Sequence, residues 1–404
     1  MATIAILGTL DSKGEEHAFV AGLIRSRGHE VMMIDVGTGG EPIVRPDITR
    51  FEVAEAAGMD LLPILAKKDR GEAVTAMSHA APVLLAKLQG DGNIDGIISL
   101  GGGGGTAIAT AAMRALPIGF PKLMVSTLAA GNISHYVGTS DIVMMPSVTD
   151  VAGLNRLSKM IFTRAAGAIC GMVEMNADVS QDKPLVVASM FGNTTACITE
   201  AKRILEENGF EVLVFAATGV GGKAMEAIID SGMVAGVLDI TTTELADELV
   251  GGVLTAGPER MHAVMRANVP VVVSVGCLDM VNFGEPPTVP REFASRLFYH
   301  HNPQVTLMRT TAAECRQLGD LLVEKTNRYP GPTAIFLPHR AISVISAAGQ
   351  PFHDPTADEI LFETIRSGSR HPVIEMDMEI NDPEFARACA EQLMKMMAGV
   401  ERQA

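Results

Sequence analysis

Two segments of the chain combine residue types that are suited to binding phosphate groups. In the first, five consecutive glycines and a threonine form Gly101–Thr106, after the apolar run Ile97–Leu100 and before the helix-forming run Ala107–Met113. A loop without Cβ atoms lets an oxygen approach backbone N–H groups, and a helix N-terminus favours negative charge. This order of strand, glycine loop and helix predicts an anion site, with a tightly packed turn as the structural alternative. No Lys-Ser or Lys-Thr pair follows the glycines, so the segment is not a Walker motif.

The second segment, Gly8–Glu16, leaves the first predicted strand and enters a helix, and it contains hydroxyl groups, carboxylates and one lysine. Lys13 is suited to pairing with a phosphate, and Asp11 to orienting a magnesium-bound water or a ribose hydroxyl. Ordinary helix capping explains Asp11 equally well. Asp35 ends the second predicted strand, which is the usual position of an acid that binds ribose.

A third loop begins at Ser126 and Thr127, after a further predicted strand. Ligands of open α/β sheets bind outside the carboxyl ends of the strands, so the loops that follow strands are expected to form one site. The predicted ligand-binding residues of this site are Thr9, Asp11, Lys13, Asp35, Gly101, Gly102, Gly103, Gly104, Gly105, Thr106, Ser126 and Thr127.

The elements that carry these loops recur along the chain. Residues 3–36 are expected to form a β-α-β unit, and the pattern returns from residue 185, where Gly209–Val212 matches Gly28–Val31. Apolar strands separated by helix-length segments need crossover connections, which predicts parallel sheets with helices on both faces. The predicted fold class is therefore α/β, with two Rossmann-like doubly wound domains that have mainly parallel sheets and are related by an internal repeat.

The boundary between the two domains is expected in the polar segment 176–183, ahead of Pro184. This gives an N-terminal domain over residues 1–180 and a C-terminal domain over residues 181–404.

The composition excludes several classes of protein. Of the 404 residues, 47% are hydrophobic and 20% are charged, which is typical of a globular chain and not of a disordered one. The net charge of −15 repels polyanions, so no nucleic-acid partner is expected. No apolar stretch approaches the roughly 18 residues of a membrane span, and the strand-like start lacks a basic leader, so the protein is expected to be cytoplasmic with no membrane partner. The five scattered cysteines match neither a zinc site nor a disulfide framework.

Six motifs, taken in order, resemble those of a known family: Gly8–Glu16, Gly101–Thr106, Val137–Ile142, Ser147–Asp150, Asp239–Glu244 and Asp279–Gly284. The chain resembles, over nearly its whole length, the ATP-binding family typified by the plant protein that confers resistance to tomato mosaic virus. The resemblance implies two Rossmann-like domains, ATP bound in the first of them, and a homodimer. The glycine run and the loop from Thr9 to Lys13 fit such an ATP site, with Mg²⁺ as a candidate companion ion.

The second half of the chain has a different set of groups after its predicted strands. Asp279, Asn282, His301 and Arg309 are ionisable or polar residues that are costly to desolvate, which favours a wet cleft and a second polar ligand. If that site is catalytic, His301 is the proton carrier, Asp279 orients it or holds a metal, and Arg309 clamps an anionic substrate. The alternative is that these residues cap strand ends or lie at a domain interface. The sequence assigns no metal ligands.

Three functions fit these features. The first is an ATP-dependent enzyme that acts on a small polar or anionic metabolite in a cleft between the domains. The second is a nucleotide-gated binding module without turnover, in which ATP sets the pose of the domains. The third is a dehydrogenase, and five glycines without a clear G-x-G-x-x-G and acid register argue against it.

Overall fold

The structure, a computed structural model, describes residues 1–175 and 183–401. The chain divides into two compact units, Met1–Asp178 and Val179–Ala404. The predicted boundary between residues 180 and 181 lies outside the described residues. Within the described ranges, no helix combines the length and the apolar character needed to cross a membrane.

The N-terminal unit is a parallel five-stranded sheet of order β2-β1-β3-β4-β5 with helices on both faces. Its elements are β1 (Thr3–Gly8), α1 (Leu10–Ser26), β2 (Glu30–Asp35), α2 (Arg50–Ala56), α3 (Leu62–Ala66), α4 (Arg70–Gly90), β3 (Gly96–Gly101), α5 (Gly103–Arg114), β4 (Lys122–Ser126), α6 (Ser134–Val137), β5 (Val143–Pro146) and α7 (Arg156–Glu174).

Side chains of the N-terminal sheet alternate between two apolar layers. Ile4 and Ile6 of β1 pack with α1 and α7, whereas Ala5 and Leu7 pack with α4 and α5. Successive residues of a strand point to opposite faces, so a strand covered on both faces is apolar without interruption. This explains why the predicted strands are continuous apolar runs.

The C-terminal unit repeats this architecture and adds an antiparallel sheet. Its parallel sheet has the order β14-β13-β9-β8-β6-β7, and the smaller sheet has the order β10-β12-β11. Its elements are β6 (Leu185–Met190), α8 (Thr195–Glu207), β7 (Glu211–Ala216), α9 (Val220–Asp230), β8 (Val234–Thr241), α10 (Glu244–Val250), α11 (Ala263–Ala267), β9 (Val271–Gly276), β10 (Met280–Phe283), β11 (Phe298–Asn302), β12 (Val305–Arg309), α12 (Ala312–Thr326), β13 (Thr333–Pro338), α13 (Pro355–Gly368), β14 (Val373–Met376) and α14 (Pro383–Glu401).

The predicted fold class, α/β with two mainly parallel sheets, is confirmed. The repeat extends to single backbone features, since Gly28 and Gly209 precede equivalent strands with φ of 88° and 90°. The N–H groups of Ile97 and Val237 donate to the carbonyls of equivalent prolines, each over 2.9 Å. The sequence did not predict the small antiparallel sheet.

Strand order reverses once in each unit, between β1 and β3 and between β6 and β8. Loops that leave two such strands diverge to opposite faces of the sheet and leave a crevice between them, which is the usual ligand position in doubly wound folds. In the N-terminal unit we call the crevice between β1 and β3 the switch point. Parallel strands place the starts of α1 and α5 at this edge of the sheet.

Candidate functional site

A pocket of about 730 Å³ lies at the switch point of the N-terminal unit. It is bounded by the loop after β1, the glycine loop after β3 and the start of α4, so three helix N-termini converge on it. The positive ends of three helix dipoles favour a negatively charged ligand. The lining residues are Thr9, Asp11, Ser12, Lys13, Thr38, Gly39, Leu65, Lys68, Asp69, Arg70, Ala73, Val74, Gly102, Gly103, Gly104, Gly105, Ile108 and Asp150.

The glycine loop presents unbonded backbone groups to this pocket. Gly102 is the N-cap of α5, and the N–H of Thr106 closes the first helical bond to the carbonyl of Gly102 over 2.8 Å. The N–H groups of Gly103, Gly104 and Gly105 precede that bond and therefore have no partner within the helix. Gly103 is exposed, and a Cβ built on it would meet no atom within 4 Å. A larger side chain there would extend into open space.

The loop after β1 is held by several contacts. Lys13 has non-helical dihedral angles (φ −134°, ψ 26°) that kink α1, and its Nζ donates to the carbonyl of Val151. The Oδ2 atom of Asp11 accepts the N–H of Gly39 over 2.7 Å. The Oδ1 atom of Asp11 is buried and has no hydrogen-bond partner among the described residues. Asp11 therefore fastens the loop after β2 to the wall of the pocket.

The start of α4 brings two cations to the pocket. Lys68 and Arg70 are both exposed, and neither forms an ion pair within the described part of the chain. Between them, Asp69 caps α4 by accepting the N–H of Glu72 over 3.0 Å. Lys68 has a φ of 55°, which is uncommon for a residue with a Cβ. With Lys13, the pocket has three cationic side chains.

Asp35 does not bind a ligand in the way that the sequence suggested. It is 1% exposed, and its Oδ2 accepts the Nε of Arg50 over 2.7 Å. Its Oδ1 accepts the N–H groups of Leu10 and Gly37. A buried carboxylate must be paired, and these contacts fully occupy it. Asp35 therefore stabilises the walls of the pocket without lining it.

Four other predicted residues lie behind the glycine loop. The hydroxyl oxygens of Thr106 and Ser126 are 2.7 Å apart, and both side chains are buried. Gly101 is the last residue of β3, and a Cβ there would lie 3.2 Å from the Cα of Gly105, so α5 starts close against the strand. The N–H of Thr127 donates to the carbonyl of Gly101 over 3.2 Å. These residues position the loop, and none of them lines the pocket.

Sequence reasoning missed part of the lining. Thr38 and Gly39 follow β2, whose carboxyl end lies at the same sheet edge, so parallel topology was a usable signal for them. Lys68 precedes α4 and Arg70 is its first residue, with no strand directly before them, and no sequence pattern indicated their approach. Asp150 belongs to one of the motifs that carried the family resemblance.

Asp279 and Arg309 are neighbours in the interior of the C-terminal unit. The N–H of Thr310 donates to the carbonyl of Asp279 over 3.1 Å, and Met280 pairs with Arg309 across β10 and β12. The Oδ2 of Asp279 accepts the hydroxyl of Ser343 over 2.7 Å, while its Oδ1 has no hydrogen-bond partner among the described residues. Burial raises the pKa of Asp279 to about 7.

Arg309 and Asn282 do not face a wet cleft, contrary to the expectation from the sequence. The guanidinium of Arg309 is satisfied by Asp358 over 2.6 Å and by the carbonyl of Phe352 over 2.9 Å. Asn282 donates from its backbone N–H and from Nδ2 to the Oδ1 of Asp247, over 2.7 and 3.1 Å. Internal partners therefore satisfy Arg309 and the N–H groups of Asn282, whereas the buried Oδ1 of Asn282 has no hydrogen-bond partner among the described residues.

His301 is exposed on β11 and lies apart from Arg309. The neighbouring His300 pairs with Thr306, three residues along β12 from Arg309. At about 3.3 Å per residue, that separation is roughly 10 Å along the strand. The ring of His301 lies 6.4 Å from that of Tyr299. The structure thus does not assemble His301, Asp279 and Arg309 into one acid–base group.

These features define a class: an α/β protein of two repeated units, with an anion-suited pocket at the switch point of the first. Residues 2–178 match the model of the "Uncharacterised protein family (UPF0261) N-terminal domain", and residues 183–397 match that of its C-terminal domain. The chain belongs to this family.

Relatives with assigned names agree with the family match. A "UPF0261 protein" from Clostridium tetani is 49% identical, with 98% of each chain covered. The "ToMV susceptible protein tm-1(GCR26)" and the "ToMV resistance protein Tm-1(GCR237)" from Solanum lycopersicum are each 37% identical, over 96% of this chain and 55% of theirs. The resemblance to the family of the plant resistance protein is confirmed. A putative UDP-N-acetylglucosamine 2-epimerase from Listeria monocytogenes aligns at 12% identity, covering 93% of this chain and all of that one, with a TM-score of only 0.24.

Proposed function

We propose that the N-terminal unit binds ATP, with the triphosphate seated on the N–H groups of Gly103, Gly104 and Gly105. The observation that carries this proposal is the pocket at the switch point, where the starts of α1, α4 and α5 meet. The carboxylates of Asp11, Asp69 and Asp150 also line the pocket, but Asp11 and Asp69 each accept a backbone N–H group. Free N–H groups, helix dipoles and three cations favour an anion there. They would hold several phosphate charges in a chain whose net charge is −15.

The lining of the pocket combines polar and apolar groups in a way that suits a nucleotide. Lys13, Arg70 and the glycine loop supply donors, and Leu65, Val74 and Ile108 supply apolar surface, with Val74 packed close to Gly104. A nucleobase needs a mostly apolar surface and a triphosphate needs fixed donors, so one pocket with both features fits the whole ligand. The volume of about 730 Å³ is within the range of small-molecule sites.

The burial of Asp35 argues against the dehydrogenase alternative. A dinucleotide site of the Rossmann type uses an acid at the end of its second strand to bind the ribose hydroxyls. Here that acid is committed to Arg50 and to two backbone N–H groups. A nucleoside triphosphate does not depend on that contact.

Magnesium would reach this site as part of the ligand. In the described ranges, no three His, Cys, Asp or Glu side chains are grouped so as to hold a metal ion. Mg²⁺ commonly keeps several waters and binds through substrate phosphates with one or two carboxylates. Asp11 and Asp150 line the pocket and are the carboxylates nearest to that description.

Isothermal calorimetry with Mg-ATP tests the proposal. In Gly103→Val the new side chain would occupy the phosphate position without meeting a protein atom, so the fold should persist while affinity falls about 100-fold or more. The control is Gly22→Val, another exposed helical glycine with open space around its Cβ. Loss of ATP affinity in the Gly103 variant alone supports the site. Equal affinities in both variants would overturn it.

A measurement of phosphate release distinguishes an ATP-dependent enzyme from a nucleotide-gated binding module, the two functions that this site could serve. An ATP-dependent enzyme should hydrolyse or transfer phosphate when a suitable small carboxylate or sugar acid is added, whereas a gated binding module should turn over negligibly. The burial of Asp279 and Arg309 and the distance of His301 mean that these three residues form no preformed acid–base group. We therefore place the reactive phosphate, if one is transferred, beside Lys13 and Arg70.

A further inference from the structure

A histidine ring lies buried directly beneath the proposed phosphate site. The Nδ1 of His17 is 2.7 Å from the carbonyl oxygen of Lys13, and its Nε2 is 3.3 Å from the backbone nitrogen of Leu100. His17 is fully buried. A backbone N–H can only donate and a carbonyl can only accept, so these partners fix Nε2 as the acceptor and Nδ1 as the protonated nitrogen. His17 is therefore held as one neutral tautomer.

The two hydrogen-bond partners of His17 lie in two chain segments that border the pocket, the start of α1 and the end of β3. Lys13 is the residue at which α1 is kinked, and it lines the pocket. Leu100 immediately precedes Gly101 and the glycine loop. Through these two hydrogen bonds, the ring links the chain segment that carries the lysine to the segment that presents the N–H groups.

The end of strand β1 leaves space for the imidazole ring of His17. Gly8 is the last residue of β1, and a Cβ built on Gly8 would overlap the imidazole of His17. Glycine lowers the stability of a strand, but at Gly8 the absence of a side chain leaves room for the ring of His17. The ring thus occupies the space between the ends of β1 and β3, the two strands that flank the switch point.

We infer that His17 is a positioning residue of the nucleotide site, which sets the distance between Lys13 and the glycine loop. This inference rests on the proposed function. It also predicts a regulatory property, because a proton added at Nε2 removes the acceptor for Leu100 and places a charge beneath the loop. Nucleotide affinity should then fall in acid solution.

The charged groups around the ring determine how readily it is protonated. Burial lowers the pKa of His17, and the nearby Lys13 ammonium lowers it further, whereas Glu16, Asp35 and the Lys13 carbonyl raise it. The burial effect is the largest, so the pKa of His17 lies below its ordinary value and the ring is neutral near pH 7.

Two conservative variants separate the two hydrogen bonds. An asparagine amide at position 17 can replace the donor to Lys13, and a glutamine oxygen can replace the acceptor for Leu100. For each variant we would measure Mg-ATP affinity from pH 5 to 8, and hydrogen exchange of residues 100–106 without ligand. The control is His29→Gln, which replaces another buried histidine of this unit, bonded to Glu174 over 2.9 Å.

Protonation of His17 in acid solution is expected to lower the wild-type affinity about tenfold, by the loss of one hydrogen bond to a buried group. His17→Gln should leave the exchange of residues 100–106 as in the wild type and abolish that pH dependence. His17→Asn should speed their exchange and weaken ATP binding about tenfold at every pH. The His29 control should keep the affinity and pH profile of the wild type.

Two results would overturn the inference: wild-type affinity and exchange in His17→Asn, or an unchanged pH profile in His17→Gln. If the wild type binds no ATP at any pH, the proposed function fails. The exchange of residues 100–106 then still decides whether His17 organises the loop. Slower or unchanged exchange in His17→Asn would reduce it to a packing residue.

Discussion

Arg260 donates from its two Nη atoms to the two carboxylate oxygens of Asp239, over 2.7 Å each, in the interior of the C-terminal unit. Its Nε also donates to Glu244 over 2.6 Å. Asp239 lies near the end of β8, and Glu244 begins α10, where the N-terminal repeat has the glycine loop. Glu244 in turn accepts the N–H groups of Gly219 and Gly222. In this unit an ion-paired network of side chains therefore stands where the first unit has the glycine loop.

Arg260→Ala should therefore strongly destabilise the C-terminal unit. Removing the arginine leaves Asp239 and Glu244 buried without their cation, and breaking a buried pair in this way typically costs about 3–5 kcal/mol of unfolding free energy. Urea denaturation of the full chain measures the loss. Arg340→Ala, which breaks an exposed pair with Asp377, should lower the unfolding free energy far less. Similar losses in the two variants would contradict the proposed importance of the buried network.

The same contrast between the units predicts one nucleotide per chain. In the C-terminal unit, Asp239, Glu244 and Arg260 are buried and bonded to one another, so these side chains are not available to a phosphate. Calorimetric titration of the full chain with Mg-ATP should give a single class of sites with a stoichiometry of one. Two equivalents of bound ATP would show that the C-terminal unit also accepts a nucleotide.

Gly8 and His17 should show energetic coupling. Gly8→Ala introduces a methyl group into the imidazole and should lower the unfolding free energy by about 1–3 kcal/mol. In a His17→Ala background the same substitution has space, so most of its cost should disappear. Denaturant unfolding of the two single variants and the double variant measures the coupling. Additive losses would mean that the ring does not occupy the place described.

Asp279→Asn should change how stability depends on pH. Burial raises the folded-state pKa of Asp279 to about 7, above its unfolded value, so the folded state binds more protons between those two values. The wild type is then expected to lose stability, relative to the variant, as the pH rises from 5 to 8, on the order of 2 kcal/mol. Thermal unfolding of both proteins at these pH values measures the difference.

Asp377→Asn is the control for that experiment. Arg340 lowers the pKa of the exposed Asp377 carboxyl, so this group stays ionised from pH 5 to 8. Its replacement should leave the pH dependence of stability unchanged. If Asp279→Asn behaves in the same way, the Asp279 carboxyl is already ionised across the whole range.

The parts of the site that the sequence revealed are those encoded by contiguous residues. The glycine loop and the loop from Thr9 to Lys13 each follow an apolar strand, so their position at one sheet edge follows from parallel topology. The repeat was likewise visible in short matched segments. These features depend on local pattern and on the geometry that all doubly wound sheets share.

The remaining features depend on partners that are distant in the sequence. Asp35 was expected to bind ribose because it ends a strand, but Arg50, 15 residues later, neutralises it. Asp279 is bonded to Ser343, which is 64 residues away. A polar residue at a strand end fits a wet cleft and a buried network equally well until its partner is known. Lys68 and Arg70 reach the pocket through the packing of α4, which no local pattern specifies.

The most direct test of the account is an experimental structure of the full chain with Mg²⁺ and a non-hydrolysable ATP analogue. We predict phosphate oxygens within hydrogen-bonding distance of the N–H groups of Gly103 and Gly104, with Lys13 or Arg70 beside them and the base against Leu65 and Val74. An analogue bound elsewhere in the chain, with the glycine loop empty, would contradict the central claim.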